Sequence, residues 1–135
     1  MNDSSMHWRS VSELSDQIHT GALSPVELME HLLARVDSLN GKLNAFRPLD
    51  PDRSLAAARA AEIALRAGED WGPLHGIPLA VKDIIDIKGL PTTAGARSLG
   101  NAIAESDATV VLKLRRAGMV ILGKTQTVKF AMGAP

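Results

Sequence analysis

Apolar positions in the first third of the chain recur every three or four residues, and the polar residues between them carry helix-boundary chemistry. Ser10 and Glu13 have the spacing of a capping box, in which each side chain answers the other residue's free amide. Val11, Leu14 and Ile18 then follow on one face until Thr20-Gly21. Ser24-Pro25-Val26-Glu27 repeats the signal with a proline suited to the first helical position. Leu28, Leu32, Leu33, Val36 and Leu39 extend this second helix to a predicted stop at Asn40-Gly41. Asp50, Pro51 and Asp52 open a third, alanine-rich helix carrying Leu55, Ile63 and Leu65 and ending near Gly68.

The period changes at Trp71. Gly and Pro punctuate two short apolar runs, Ile77-Pro78-Leu79-Ala80-Val81 and Ile84-Ile85-Asp86-Ile87, both predicted as strands. A Gly- and Thr-rich loop from Gly89 to Gly100 leads to Asp107, the predicted cap of a helix over 108–117 with Val111, Leu114 and Ala117 inward. Gly118 stops that helix. Met119-Val120-Ile121-Leu122 is apolar throughout, as a strand buried on both faces of a parallel sheet would be. The predicted fold class is α/β. A helical N-terminal segment, residues 1–70, precedes the start of a mixed sheet covered by helices, residues 71–135.

Composition narrows the function classes. With 45% hydrophobic and 22% charged residues the chain of 135 residues is an ordinary globular sequence rather than a disordered one. Fifteen basic residues balance fifteen acidic ones, which removes any chain-wide attraction to nucleic acid or to an anionic membrane. The absence of cysteine excludes disulfide frameworks, Cys-ligated metals and a thiol nucleophile. With only Trp8, Phe46, Trp71 and Phe130 as aromatics, the core is expected to be aliphatic and alanine-rich. No apolar run nears the roughly 20 residues of a membrane-spanning helix, and the polar start Met1-Asn2-Asp3-Ser4-Ser5 lacks a signal-peptide pattern, so a cytoplasmic location is expected. His7, His19 and His31 are evenly spaced, but none has an acidic or His partner at ligand spacing, so no metal site is expected.

Residues 118–125, Gly-Met-Val-Ile-Leu-Gly-Lys-Thr, spell the phosphate-loop pattern G-x-x-x-x-G-K-[ST]. The context contradicts the spelling. A phosphate loop follows a strand and curls so that its amides point at phosphate oxygens. Here the four middle positions are the most strand-like run in the chain, and an amphipathic helix precedes Gly118. Gly118 is read as a helix stop and Gly123 as a strand exit.

Lys82 closes the apolar run that starts at Ile77, with Asp83 and then Ile84 and Ile85 beyond it. A lysine at this position either reaches solvent or pairs with Asp83, or else it is desolvated so that its neutral amine can act as a base. Lowering a lysine from about 10.4 to about 7 requires on the order of 4 to 5 kcal/mol of differential stabilisation. Both readings stand on the residues alone.

Gly72-Pro73-Leu74-His75-Gly76-Ile77-Pro78-Leu79-Ala80-Val81-Lys82-Asp83 resembles the opening block of the amidase signature family. Further blocks follow in the family's order: 88–93, 107–111, 116–118, 121–125 and the closing Phe130-Ala131-Met132-Gly133. The resemblance extends over roughly residues 10 to 135 and is densest from 72 onward. It implies hydrolysis of amide C–N bonds by a Ser, cis-Ser, Lys triad, without metal or organic cofactor, on a small-molecule amide substrate. Its catalytic lysine falls on Lys82, and substrate-binding positions fall on Phe130, Met132 and Gly133. Many members have an Asn after the Lys-Thr pair and a Glu before Phe-Ala, where this chain has Gln126 and Lys129.

Both family serines lie in a Gly/Ser-rich stretch downstream of Phe-Ala-Met-Gly. Ser98 and Ser106 have no such setting and read as loop or cap residues. The chain is therefore expected to supply the general base without the nucleophile, and to be inactive and marginally stable by itself. The competing readings are a non-catalytic assembly or interaction fragment and a phosphate-loop nucleotide-binding protein. Oligomeric state is left open.

Overall fold

The computed structural model describes residues 5–100 and 102–133. The polar start over Met1–Ser4 lies outside them. Three helices form first: α1 (Val11–His19), α2 (Pro25–Leu43) and α3 (Pro51–Arg66). Both capping boxes form as the spacing predicts, Ser10 with Glu13 and Ser24 with Glu27, and Asp50 caps α3 by accepting from the Arg53 amide.

After α3 come β1 (Pro78–Lys82), α4 (Thr109–Arg116) and β2 (Val120–Thr125). β1 and β2 pair in parallel, Leu79 opposite Ile121 and Ala80 opposite Gly123, so β2 carries one extra residue between those pairs. Phe46 makes an antiparallel bridge to Thr125, which gives the sheet its mixed character.

β2 is buried on both faces, as its uniform apolarity predicts. Val120 and Leu122 pack with Met29, Ala58 and Ala61 of α2 and α3, while Ile121 packs with Val81, Ile87 and Val111. A third cluster, Met6, Ile18, Leu23, Leu28 and Ile77, joins α1 and α2 to the entrance of β1.

Five local expectations need correction. Residues 84–87 form a turn instead of a strand: the Ile85 amide donates to the Lys82 carbonyl at 3.0 Å, and Ile87 is driven fully into the core. α2 runs through Gly41 to Leu43, because Asn44 supplies the left-handed cap (φ 48°) and Asn40 bonds the Phe46 backbone through both side-chain atoms. α3 buries Ser54, Ala58, Ala61 and Ala64 and leaves Ile63 66% exposed, since small side chains allow the close approach to α2 and β2. Gly123 lies inside β2 opposite Ala80 and is not the strand exit, because the ladder continues as Lys124 and Thr125 pair with Val81 and Lys82. Asp107 is not the cap of α4. Its carboxylate accepts from the Lys88 amide at 2.8 Å and pairs with Arg115 at 3.0 Å, and Ala108 occupies the cap position.

Candidate active site

The site grows from the C-terminal end of β1. Strand alternation sends Val81 and Asp83 inward and leaves Lys82 exposed in this chain, the solvent-reaching alternative of its sequence position and not the desolvated one that a base requires. The reason is local: the apolar cluster that buries Val81 lies behind the opposite face of the strand. The partner of Lys82 across the ladder is Thr125, so a neutral polar residue shares its face.

Asp83 is 1% exposed and carries its charge into the interior. Lys124 of β2 meets it at 2.8 Å, the Thr93 hydroxyl and amide both donate to it, and the Arg47 Nε lies 3.6 Å away. Burial pushes the Asp83 carboxyl up, but the hydrogen bonds from Lys124 and Thr93 outweigh it and hold the group below the usual carboxylate range. The Lys124 amine, itself 4% exposed, also donates to the Pro91 carbonyl at 2.9 Å and to the Thr92 hydroxyl at 2.7 Å. Asp83 is thus taken by Lys124, and Lys82 makes no ion pair or side-chain hydrogen bond among the described residues.

The same geometry disposes of the phosphate-loop spelling. Gly118 stops α4 at φ +89°, residues 120–125 are strand, and the lysine of the pattern is committed to a buried carboxylate.

Phe130, Met132 and Gly133 come together in one exposed segment, with Phe130 51% and Met132 79% exposed. Phe130 and Ala131 both sit in the left-handed region, φ 54° and 56°, which costs non-glycine residues about 1 kcal/mol or more each. Backbone bonds link this segment to β1: the Phe130 amide donates to the Ala94 carbonyl at 2.6 Å, and the Ala94 amide donates to the Asp83 carbonyl at 2.8 Å. Gly95 lies in the same junction, where a Cβ would stand 2.6 Å from the Thr127 carbonyl oxygen.

Among the described residues no group of three or more His, Cys, Asp or Glu side chains gathers as a metal cage. The fold does bring His7 to His31, a partnership hidden by their separation in sequence, with Nδ1 and Nε2 3.0 Å apart. The ring centroids are 5.3 Å apart and the rings are tilted by only 17°, so the nitrogens meet end on. That is the geometry of an N–H···N bond, not of two lone pairs converging on an ion.

Sequence reasoning missed the Asp83–Lys124–Thr93 cluster. One signal was available: Lys124 follows four apolar residues and a glycine in a buried strand, and a buried lysine requires an anion.

The described residues thus form a parallel α/β layer with an exposed lysine at the exit of one strand, next to a buried, paired acid. The amidase family model, named Amidase, matches residues 27–135, and the chain belongs to the amidase signature family. It is 44% identical over 129 residues to a glutamyl-tRNA(Gln) amidotransferase subunit of Thioalkalivibrio sulfidiphilus, and 46% identical to the corresponding protein of Alkalilimnicola ehrlichii. Each alignment covers 96% of this chain and 26% of the relative. Among solved structures, the native peptide amidase of Stenotrophomonas maltophilia superposes with a TM-score of 0.84 at 35% identity, over 90% of this chain and 25% of that one. A bacterial aryl acylamidase of the amidase signature enzymes gives a TM-score of 0.86 at 29% identity, over 94% and 27%. The chain thus spans about a quarter of the length of the relatives it matches. None of the helices among the described residues is long and apolar enough to cross a membrane.

Proposed function

We propose that this chain supplies the general base of an enzyme that hydrolyses an amide C–N bond, with Lys82 as that base and both serines contributed by polypeptide beyond these 135 residues. Neutral Lys82 takes a proton from the bridging serine, which takes one from the nucleophilic serine as it attacks the carbonyl carbon. Backbone amides hold the oxyanion, Lys82 returns the proton to the leaving amine, and water then attacks the acyl-serine to release the carboxylic acid and regenerate the serine. Phe130, Met132 and Gly133 form part of the substrate wall.

The observation that carries this reading is the division of labour at the end of β1. The buried acid next to Lys82 is neutralised by Lys124, so the Lys82 amine is left without a carboxylate partner. Its exposure in the 135-residue chain fits a face that the remaining three-quarters of an amidase would cover and dry.

The test joins residues 1–135 to the remaining portion of an amidase relative and measures ammonia release from amide substrates. Lys82→Ala is expected to lower turnover by about 10²- to 10⁴-fold, the usual weight of a general base. Normal turnover in that variant would sink the assignment, and the 135-residue chain alone is expected to show none.

The amidotransferase relatives are 42–46% identical to this chain, against 29–35% for the peptide and aryl amidases. This difference favours glutamine as the amide donor over peptide or aryl amides. Comparing the three substrate types in the joined protein checks it.

A further inference from the structure

Asp83 follows Lys82 directly and is the acid best placed by sequence to pair with it, yet its carboxylate lies on the opposite face of β1. In a parallel ladder, partnered residues share a face. Val81 is opposite Lys124 and Lys82 is opposite Thr125, so Lys124 lies on the face to which Val81 and Asp83 point. The charged groups facing Asp83 are Lys124 from β2, at 2.8 Å, and Arg47 from the segment between α2 and α3, at 3.6 Å. Two further cations line the adjoining cavity of about 260 Å³ but are engaged elsewhere: Arg53 on the Lys88 carbonyl and Arg115 on Asp107.

Resting on the assignment of Lys82 as the base, we propose that Lys124 is a positioning residue for it. By fixing and neutralising Asp83 on the far face of the sheet, Lys124 keeps that carboxylate from stabilising a charged Lys82 and fixes the strand exit that aims the amine. Thr93 and Thr92 complete the device, one donating to the carboxylate and the other accepting from the Lys124 amine. The same exit is tied to the segment holding Phe130 through Ala94, so the base and the substrate wall are set by one framework.

The experiment measures kcat/KM against pH in the joined full-length protein. Activity that needs a neutral amine rises with pH. Lys124→Met leaves the Asp83 carboxylate, still held by Thr93 and Arg47, without its main counter-charge. The rise is then expected to move to higher pH by on the order of half a unit, a roughly threefold loss on the rising limb. Asp83→Asn leaves the Lys124 cation uncompensated, still bonded to Pro91 and Thr92, and is expected to move the rise to lower pH by a similar amount. Displacements of opposite sign support the proposal, because a merely structural role would lower yield or melting temperature without moving the profile in two directions.

Unmoved profiles in folded variants overturn the proposal, and if Lys82→Ala remains inactive in the same protein, the assignment of the base survives that result. Full activity in Lys82→Ala overturns both. Should Lys124→Met fail to fold, Asp83→Asn carries the test alone, and a profile that stays in place or moves upward overturns the proposal.

Discussion

Lys82 and Asp83 are consecutive in the chain and serve opposite faces of one strand: the lysine is exposed, and the aspartate is 1% exposed and paired with Lys124. Adjacent opposite charges would ordinarily be drawn together, but the 180° alternation of a strand forbids it, and β2 provides a second lysine where the acid needs one. The arrangement separates a structural ion pair from a free amine within two residues.

The first expectation concerns acid stability. The Asp83 carboxyl is held below its ordinary value of 3.8, the opposing effect of burial notwithstanding, by the donors from Lys124 and Thr93. A depressed folded-state value means that the stabilisation is fully present above about pH 4 and is lost as pH falls through the folded-state value. Urea midpoints between about pH 2 and 5 should show this loss in the parent chain and not in Asp83→Asn. Asp83→Ala should cost about 3–5 kcal/mol at neutral pH, because it strands the Lys124 charge in the interior.

A second expectation separates the histidines by sign. His19 donates from Nδ1 to the Ser15 carbonyl at 2.7 Å and from Nε2 to Asp70 at 3.1 Å, and its pKa is raised, first by Ser15 and then by Asp70, against the effect of burial. Its contribution is complete below about pH 6.5 and lost as pH rises through the folded-state value. Asp70→Asn should therefore destabilise the chain at about pH 5.5 and matter little at about pH 8. His7 behaves oppositely. Burial, then Arg35 and His31, lower its pKa, so its share is present above about pH 6.5 and lost as pH falls. Histidine ring NMR titrations against pH should show the two moving in opposite directions from 6.5.

Much of the scaffold was legible because its signals are local. Ser10 with Glu13, Ser24 with Pro25 and Glu27, and Gly118 after α4 each specify a boundary within a few residues, and each boundary formed. The misreadings share another cause. Residues 84–87 look like a strand by composition, but Asp83 must turn inward to reach Lys124, a partner 41 positions away, and the chain then turns to seat Ile87. At the candidate site, the position of Lys82 on a strand exit was readable. Its exposure and the destination of the Asp83 charge were not, because both depend on which face β2 presents. His7 and His31 met for the same kind of reason, the docking of one element on another.

Gly118 offers a test of backbone packing. It combines φ +89° with a site where a Cβ would stand 2.6 Å from the His75 Cα, while its carbonyl accepts from the Gly76 amide at 2.9 Å. Gly118→Ala must pay for the left-handed conformation, about 1–2 kcal/mol, and must also displace main chain at the entrance to β1. Gly21 has φ +73° with nothing within 4 Å of a Cβ, so Gly21→Ala should show the conformational cost alone. Thermal melts should rank Gly118→Ala as clearly the more damaging, by about 1 kcal/mol or more. Equal costs would mean that the junction relaxes around the new methyl group.

The final expectation follows from surface area. Among the described residues several large apolar side chains stand in solvent: Ile84 at 43%, Ile103 at 57%, Phe130 at 51% and Met132 at 79%. Unburied area of this kind both weakens the folded state and favours association. The isolated 135-residue chain should therefore unfold broadly at low temperature and self-associate as concentration rises. Adding the remaining portion of an amidase relative in trans should raise its melting temperature, as any ligand specific for the folded state must. Scanning calorimetry with sedimentation at several concentrations checks this, and a sharp two-state transition of a monomer, unchanged by the added chain, would show that the exposed face has no partner to gain.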